Sequence, residues 1–222
     1  MKIKLAAVQL QSKDDLQANL DHCALLLAKA AQENVKLAVL PENFAMFAAG
    51  AQLATAQQLP KILTWLSEQA RLHQLWIVAG SVPCLERKNG EMVPDGKVRA
   101  SCFVYNDLGQ QVGRYDKIHL FDVTVADKQA QYQESATFEA GDEVVIINTP
   151  FANIGLTICY DLRFPQLFQA LRDQGADIIV VPAAFTALTG KAHWQVLLQA
   201  RAIESQCFIV GAGQSGQHSA TR

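Results

Sequence analysis

Strand-type and helical segments alternate at both ends of this chain, and that alternation restricts the fold more than any other feature of the sequence. Near the start, the short apolar runs IKLAAVQL, KLAVLP and LWIVAGSV are typical of buried strands. Between them, apolar residues recur at helical spacing, first after a helix-start signal at Ser12 to Asp15 and then from Leu59 to His73. The opening is therefore predicted to be β-α-β-α-β.

The middle of the chain differs because two strand-type runs lie close together there. RASCFVYND and QVGRYDKIHL are separated by a short Gly-containing turn, which predicts a β-hairpin. The polar connection that follows, residues 121–142, shows no clear periodicity. Loops of that length in a compact domain usually carry function.

The last third of the chain returns to alternation. EVVIINTP, IGLTIC, DIIVVP and CFIVGAG are strand-type runs, and helices are predicted from about Phe164 and from about Lys191 to Ser205. About nine strands and four long helices, joined by both hairpins and crossovers, indicate an α/β fold with mixed sheets. Since no repeat or linker interrupts the pattern, residues 1–222 are predicted to form a single domain.

Composition narrows the partners and the compartment. The 19 basic and 21 acidic residues include no Lys/Arg run, so nucleic acid is not an expected partner. A membrane is not expected either, because no apolar run approaches the roughly 20 residues that span a bilayer. Gln9 and Gln11 interrupt the N-terminal apolar stretch too early for a signal-peptide core. The five scattered cysteines are expected to be reduced thiols, which favours a cytoplasmic protein.

Three reactive side chains follow strand-type runs. Glu42 follows KLAVLP, Lys117 lies in the second hairpin strand, and Cys159 follows IGLTI. Ligand crevices of open α/β sheets lie at the carboxyl ends of the strands, so these three groups are predicted to share one pocket.

Such a trio supports acyl transfer. A thiol attacks a carbonyl as the thiolate, and an adjacent Lys117 ammonium would lower the pKa of Cys159. A desolvated Glu42 could take the thiol proton and return it to the leaving group. Lys117 and the backbone N–H of Tyr160, directly after the cysteine, could stabilise the oxyanion.

Each of these residues also has a purely structural interpretation. Cys159 could be a small buried hydrophobe, Glu42 a solvated loop residue and Lys117 an edge-strand charge that discourages aggregation. A papain-like arrangement of Cys159 with His119 or His193 and Asp161 is open as well.

Two other patterns carry less weight. The five histidines show no metal-ligand spacing with the cysteines, so no metal site is predicted. The segment GAGQSG resembles a phosphate loop only superficially, because no helical pattern follows it.

With these residues in view, the sequence resembles the nitrilase superfamily of carbon–nitrogen hydrolases. The motifs that carry the resemblance are LAVLPENF, GRYDKIHLFD, IGLTICYDLRFPQL and VVPAAFTALTGKAHWQVLLQARAIESQ, in that order. The resemblance implies Glu42 as general base, Lys117 as oxyanion-stabilising and proton-donating lysine, and Cys159 as nucleophile. It also implies that Glu134, which the residues alone would place as a solvated loop residue, positions the substrate or the lysine.

The family fold that this resemblance implies is a four-layer α-β-β-α sandwich with mixed sheets. It further implies a homodimer formed through the helices that begin near Phe164 and Lys191, and no metal or organic cofactor. Relatives continue past the point that matches Arg222, so the resemblance implies a single domain, residues 1–222, that lacks the usual C-terminal strands and tail. An inactive binding remnant is therefore one alternative function.

The motif CYDLRFP is similar to the branch that acts on amides of 2-oxo acids, and AFTALTG and RAIESQC resemble the deaminated glutathione amidases of that branch. The implied reaction hydrolyses deaminated glutathione to 2-oxoglutarate and cysteinylglycine through a cysteine thioester, as metabolite repair. The alternative within the branch is an omega-amidase that acts on 2-oxoglutaramate.

Substrate carboxylates need a cationic or N–H-rich partner. Arg163 is the candidate, supported by Thr186 and His193. An alternative role for Arg163 is a helix-start residue that pairs with Asp161.

Overall fold

The computed structural model describes residues 2–127 and 131–218. Its strands are β1 (Leu5–Ala7), β2 (Leu37–Glu42), β3 (Trp76–Cys84), β4 (Arg99–Tyr105), β5 (Gln111–Asp116), β6 (Asp122–Thr124), β7 (Gln131–Gln133), β8 (Ile146–Asn148), β9 (Asn153–Leu156), β10 (Ile178–Ala183) and β11 (Phe208–Gly213). Its α-helices are α1 (Leu16–Gln32), α2 (Gln52–Gln57), α3 (Leu59–His73), α4 (Pro165–Asp173), α5 (Ala187–Thr189) and α6 (Gln195–Ser205). Short 3₁₀ turns occupy Glu134–Ala136 and Cys159–Arg163, and a π-helical turn, Gly190–Trp194, joins α5 to α6.

The first sheet has the strand order β1-β2-β3-β4-β5. β1, β2 and β3 pair in parallel, connected through α1 and then α2 and α3, whereas β4 and β5 form an antiparallel hairpin on the far side of β3. The carboxylate of Asp15 caps α1 by accepting a hydrogen bond from the backbone N–H of Ala18 at 3.0 Å. The predicted β-α-β-α-β opening and the hairpin are both confirmed.

The second sheet has the strand order β11-β10-β9-β8. β9, β10 and β11 are parallel, and β8 pairs antiparallel to β9. Their connections are the predicted helices, α4 between β9 and β10 and the α5 to α6 segment between β10 and β11. The four predicted strand-type runs of the last third are therefore all strands.

Three apolar layers hold the sheets and helices together. Fully buried Leu20 of α1 and Leu66 of α3 belong to the layer that covers the outer face of the first sheet. Val39 of the first sheet and Val180 of the second belong to the layer between the two sheets. Phe168 of α4 belongs to the layer on the outer face of the second sheet. This arrangement confirms the predicted four-layer α-β-β-α sandwich.

The polar connection of residues 121–142 has more regular structure than its sequence predicts. β6 and β7 pair antiparallel within it, and the 3₁₀ turn that begins at Glu134 follows directly. These two strands add to the nine predicted ones, and each has only three residues, which is too short for a period of two to be recognised. Residues 128–130, also within this predicted connection, lie outside the described residues.

Across the described part of the chain, none of the helices has the length and apolar composition needed to cross a membrane.

Candidate active site

Glu42, Lys117 and Cys159 line one cavity of about 370 Å³. Glu42 is the last residue of β2, Lys117 directly follows β5, and Cys159 lies three residues beyond the end of β9. The first two residues belong to the first sheet and the third to the second, so the cavity opens where the ends of the two sheets meet. All three are buried, with 6%, 2% and 8% of their surfaces exposed.

Lys117 lies between two carboxylates. Its Nζ donates hydrogen bonds to Oε1 of Glu42 at 3.0 Å and to both carboxylate oxygens of Glu134 at 2.9 Å. Burial alone would lower the pKa of Lys117, but the charges of Glu134 and Glu42 outweigh burial and raise it well above its usual range. The lysine is therefore held as an ammonium next to the thiol.

Glu134 is not the solvated loop residue that the residues alone predict. Its side chain is 15% exposed, and besides the bonds to Lys117 it accepts a hydrogen bond from the backbone N–H of Phe121 at 2.6 Å. Burial raises the pKa of Glu134 and the nearby Lys117 ammonium opposes that rise. Both carboxylate oxygens of Glu134 therefore contact the Lys117 ammonium, while the expectation that this glutamate positions the substrate or the lysine stays a prediction.

The Cys159 thiol is a weak acid in the resting site. Burial is the largest influence raising its pKa, the Glu42 carboxylate adds to the rise, and Lys117 and the N–H of Ala184 oppose it. The predicted lowering by Lys117 is therefore present but outweighed. Glu42 is the carboxylate that acts on the thiol, so a proton acceptor lies beside the nucleophile in the same cavity.

Glu42 is fixed by groups from both sheets. Oε1 accepts from Lys117, and Oε2 accepts from the backbone N–H of Ala184, directly after β10, at 2.8 Å. Behind Glu42, a Cβ added at Gly80 of β3 would lie 1.8 Å from the carbonyl oxygen of Pro41. Only a glycine allows this close approach of β3 to the end of β2.

A turn with a left-handed residue presents the nucleophile. Cys159 has φ +48°, a conformation that costs energy for a residue with a side chain. The carboxylate of Asp161 holds this turn, because it accepts from the N–H of Ile158 at 2.9 Å and from the hydroxyl of Tyr115 at 2.7 Å. Its other oxygen accepts from the N–H of His119 at 3.0 Å and lies 2.7 Å from Nδ1 of the same residue.

These contacts bear on two arrangements that the sequence left open, a pairing of Arg163 with Asp161 and a papain-like site. Asp161 is fully buried and bonded to Ile158, Tyr115 and His119, so a pairing with Arg163 is not formed. His119 and Asp161 do contact each other, but in the described part of the chain the charged groups that act on the Cys159 thiol are Glu42 and Lys117. The papain-like arrangement is therefore not observed.

Three of the four predicted substrate contacts border the same cavity as the catalytic candidates. Tyr160, Arg163 and Thr186 line it, and the Arg163 guanidinium lies over the rings of Tyr160 at 5.8 Å and Phe185 at 5.5 Å. The Thr186 hydroxyl caps α5 and lies 2.8 Å from the hydroxyl of Thr189.

His193 contacts Arg163, the residue that it is predicted to support. It is exposed and lies outside the lining of the described cavity, but its Nδ1 is 3.3 Å from both terminal nitrogens of Arg163. It supports Arg163 rather than facing the cavity. The Tyr160 N–H, the predicted oxyanion donor, belongs to the first turn of a helix, where N–H groups lack partners within the helix.

Sequence reasoning missed the backbone donors and the network below the nucleophile. The N–H groups of Phe121 and Ala184 carry no side-chain signal in the sequence. Tyr115 and His119 flank Lys117 in GRYDKIHL, and their polar character inside a strand-type run is a signal that could have indicated a buried network.

Comparison with known proteins identifies the family of the chain. Residues 4–222 match the family described as carbon-nitrogen hydrolase. The chain is 41% identical to a deaminated glutathione amidase of Yersinia enterocolitica over 98% of its own length and 75% of the relative's, and 43% identical to one of Synechocystis over 96% and 78%. Its fold is similar to that of the C. elegans NitFhit protein, with a TM-score of 0.87 and 31% identity over 100% of this chain and 54% of that one. The chain belongs to the carbon–nitrogen hydrolase family.

Proposed function

We propose that this protein hydrolyses deaminated glutathione to 2-oxoglutarate and cysteinylglycine. The observation that carries the proposal is a buried thiol that shares one cavity with a hydrogen-bonded carboxylate and lysine, in a chain 41% and 43% identical to two deaminated glutathione amidases. This arrangement contains the nucleophile, the proton acceptor and the positive charge that amide hydrolysis requires.

In the first half of the reaction, Sγ of Cys159 attacks the amide carbonyl carbon while its proton passes to Glu42. Because the resting thiol has a raised pKa, the proton moves as the attack occurs and no stable thiolate is needed. The developing oxyanion is stabilised by the Lys117 ammonium and by the N–H of Tyr160. Collapse breaks the carbon–nitrogen bond, and the leaving amine takes the proton from Glu42, which leaves a thioester on Cys159.

In the second half, water replaces the departed amine. Glu42 accepts a proton from this water, whose oxygen attacks the thioester carbonyl. The same two donors stabilise the second oxyanion, and Cys159 leaves as a thiol once it regains the proton. Glu134 keeps Lys117 in place through both halves, because it binds the ammonium through both of its oxygens.

Recognition of the 2-oxo acid end is assigned to Arg163. Its guanidinium lies between two aromatic rings and is supported by His193, which leaves it oriented toward the cavity that it lines. A fixed guanidinium binds a carboxylate through two parallel hydrogen bonds. The cavity of about 370 Å³ falls in the range of sites that enclose small organic ligands.

The test incubates the protein with deaminated glutathione and measures both products together with the intact mass of the protein. The expected result is release of cysteinylglycine and 2-oxoglutarate by the wild type and no release by Cys159→Ala. The matched control is Cys207→Ala, which removes another buried thiol, one bonded to the carbonyl of Ala176 far from the cavity. This control should retain turnover.

Three results contradict the proposal. If ammonia release from 2-oxoglutaramate is faster than release of cysteinylglycine, the protein is an omega-amidase. If neither substrate is turned over and no adduct forms on Cys159, the inactive remnant is the better description. Turnover that persists in Cys159→Ala excludes the thioester.

We also propose that the protein is a homodimer that assembles through α4 and α6. Val196 and Ile203 of α6 are two turns apart on one face and are 63% and 72% exposed, which is a large apolar area for a free surface. Size-exclusion chromatography with light scattering is expected to give twice the chain mass for the wild type and a lower mass for Ile203→Glu. Leu25→Glu, at an equally exposed leucine of α1, is the control that should keep the dimer.

A cytoplasmic location is proposed from the state of the cysteines. All five are free, and the chemistry requires Cys159 as a thiol. Fractionation of cells that express the tagged protein tests this location, and recovery in an oxidising compartment would contradict it.

A further inference from the structure

The segment GAGQSG is the one motif in the sequence that the proposed chemistry does not use. β11 ends at Gly213, and Gln214 follows it directly, at the end of the second sheet that faces the cavity. The described residues 215–218 contain no helix, so this segment does not have the form of a phosphate loop.

The side-chain amide of Gln214 connects three parts of the chain. Its Nε2 donates to the main-chain carbonyl of Glu42 at 3.0 Å and to Oγ of Ser12 at 2.8 Å, and its Oε1 accepts from the N–H of Ser12 at 3.0 Å. Ser12 is 2% exposed, and its hydroxyl donates in turn to the carbonyl of Phe44 at 2.9 Å. The amide thereby ties the carbonyl of Glu42 and the N-terminal segment at Ser12 to the end of β11.

We propose that Gln214 is a positioning residue that acts through Glu42. The proposal rests on the proposed function, in which Glu42 is the base. Glu42 then has two anchors from the second sheet, the Ala184 N–H on its carboxylate and the Gln214 amide on its main chain. Asn43, with φ +59°, turns the chain away immediately afterwards, so the anchor on the carbonyl lies where β2 gives way to a turn.

This anchor matters because the base must remain in contact with the Cys159 thiol. Loss of the amide leaves the carbonyl of Glu42 and the polar groups of Ser12 without these partners, and buried polar groups move to find new ones. A displacement of about 1 Å at a catalytic group costs up to about 100-fold in rate. The expected loss on removal of the amide is therefore about 10-fold to 100-fold in kcat, with little change in KM.

The experiment uses Gln214→Met, which keeps the length of the side chain and removes all three hydrogen bonds. The matched control is Gln11→Met, because the Gln11 amide also joins the N-terminal segment to the segment after β11, donating to the carbonyl of Gln217 at 2.7 Å, but on the exposed side. Gln214→Glu is a second variant that keeps an acceptor for Ser12 and loses both N–H donors.

Two readouts are measured on each variant. The first is kcat and KM for deaminated glutathione. The second is the rate at which iodoacetamide alkylates Cys159 as a function of pH, which requires no substrate. Since the Glu42 charge raises the pKa of the thiol, a displaced Glu42 moves this profile toward lower pH, with alkylation about threefold faster at pH 8.

The proposal is supported if Gln214→Met and Gln214→Glu lower kcat and shift the profile while Gln11→Met does neither. It is overturned if the alkylation profiles of both Gln214 variants equal that of the wild type. It is also overturned if Gln11→Met shifts the profile equally, because the contact would then only stabilise the fold. Should Gln214→Met fail to fold, Gln214→Glu decides alone. If the wild type does not hydrolyse deaminated glutathione, the proposed function fails, and the alkylation profile still decides the role of Gln214.

Discussion

Replacement of Lys117 by methionine should destabilise the protein strongly at neutral pH and less strongly in mild acid. Lys117 is 2% exposed and within about 3 Å of two carboxylates, Glu42 and Glu134. Methionine fills most of the same space without a charge. Two buried carboxylates then face each other without a cation.

The distances set the size of the effect. At an effective dielectric constant of about 20, unit charges about 3 Å apart attract by about 5.5 kcal/mol, so two such pairs bring about 11 kcal/mol. Most of this offsets the desolvation of the three charges, and removal of one partner from a buried pair costs about 3–5 kcal/mol in practice. A domain with a total stability of about 5–15 kcal/mol would keep its fold with a small margin.

The sign of the pH dependence follows from Glu134. Burial raises its pKa and Lys117 opposes that rise, so loss of Lys117 raises the pKa further. A carboxyl group with a higher pKa in the folded than in the unfolded state binds its proton more tightly when folded. The part of the destabilisation that comes from the charge of Glu134 is therefore absent below the pKa of a glutamate in the unfolded chain, about 4.3, and grows as pH rises. It should be about 1–3 kcal/mol smaller at pH 5 than at pH 7.

Urea unfolding followed by tryptophan fluorescence, at pH 7 and at pH 5, measures the difference in unfolding free energy between wild type and Lys117→Met. Lys4→Met is the control, because the ion pair of Lys4 with Glu33 is exposed and worth less than about 1 kcal/mol. A destabilisation by Lys117→Met that is equal at the two pH values, or no greater than that of the control, would refute the reasoning.

Three further results are expected. Alkylation of Cys159 by iodoacetamide should keep accelerating above about pH 9, because burial and then Glu42 raise the pKa of the thiol. Glu42→Gln should move the pH profile of alkylation to lower pH and abolish turnover. A plateau of the wild-type alkylation rate near neutral pH would contradict this. Gly80→Ala should lower the unfolding free energy in urea by about 1–3 kcal/mol and reduce kcat, because the added Cβ meets the carbonyl oxygen of Pro41. Gly213→Ala is the control, because Gly213 has open space around it and the unfolding free energy should change by less than about 0.5 kcal/mol. Asp161→Asn should cost about 2–3 kcal/mol by placing an N–H group against donors in a buried site, and an unchanged urea midpoint would argue against a structural role for the carboxylate.

Much of the fold follows from periodicity. α3 spans Leu59–His73, as its apolar spacing predicts. α1 begins within the predicted helix-start signal, because the side chain of Asp15 accepts a hydrogen bond from the N–H of Ala18. The four-layer arrangement came from family resemblance, since alternating elements fix the class of fold but not how two sheets stack. β6 and β7 could not be predicted because their pairing depends on contacts rather than on a pattern of their own.

The site divides in the same way. Glu42, Lys117 and Cys159 could be predicted from the sequence, because each is a reactive side chain that follows an apolar strand-type run. The exposed location predicted for Glu134 from its residue type is wrong because tertiary contacts with Lys117 and with the N–H of Phe121 offset the cost of its burial. The direction of the Cys159 pKa could not be derived from neighbours along the chain, since burial outweighs the ammonium. His193, in the π-helical turn, contacts Arg163 but does not line the cavity, and the sequence pattern gives no sign of that distinction.

The division of the cavity between two sheets has a consequence for how activity appears during folding. The bond from Ala184 to Glu42 joins residues 142 positions apart, and the bond from Gln214 joins residues 172 positions apart. Contacts of such long sequence separation form slowly, after local strands and helices are in place. Secondary structure should therefore return before catalytic activity when the unfolded chain refolds, and alkylation of Cys159 along that time course would report the moment at which the two sheets dock.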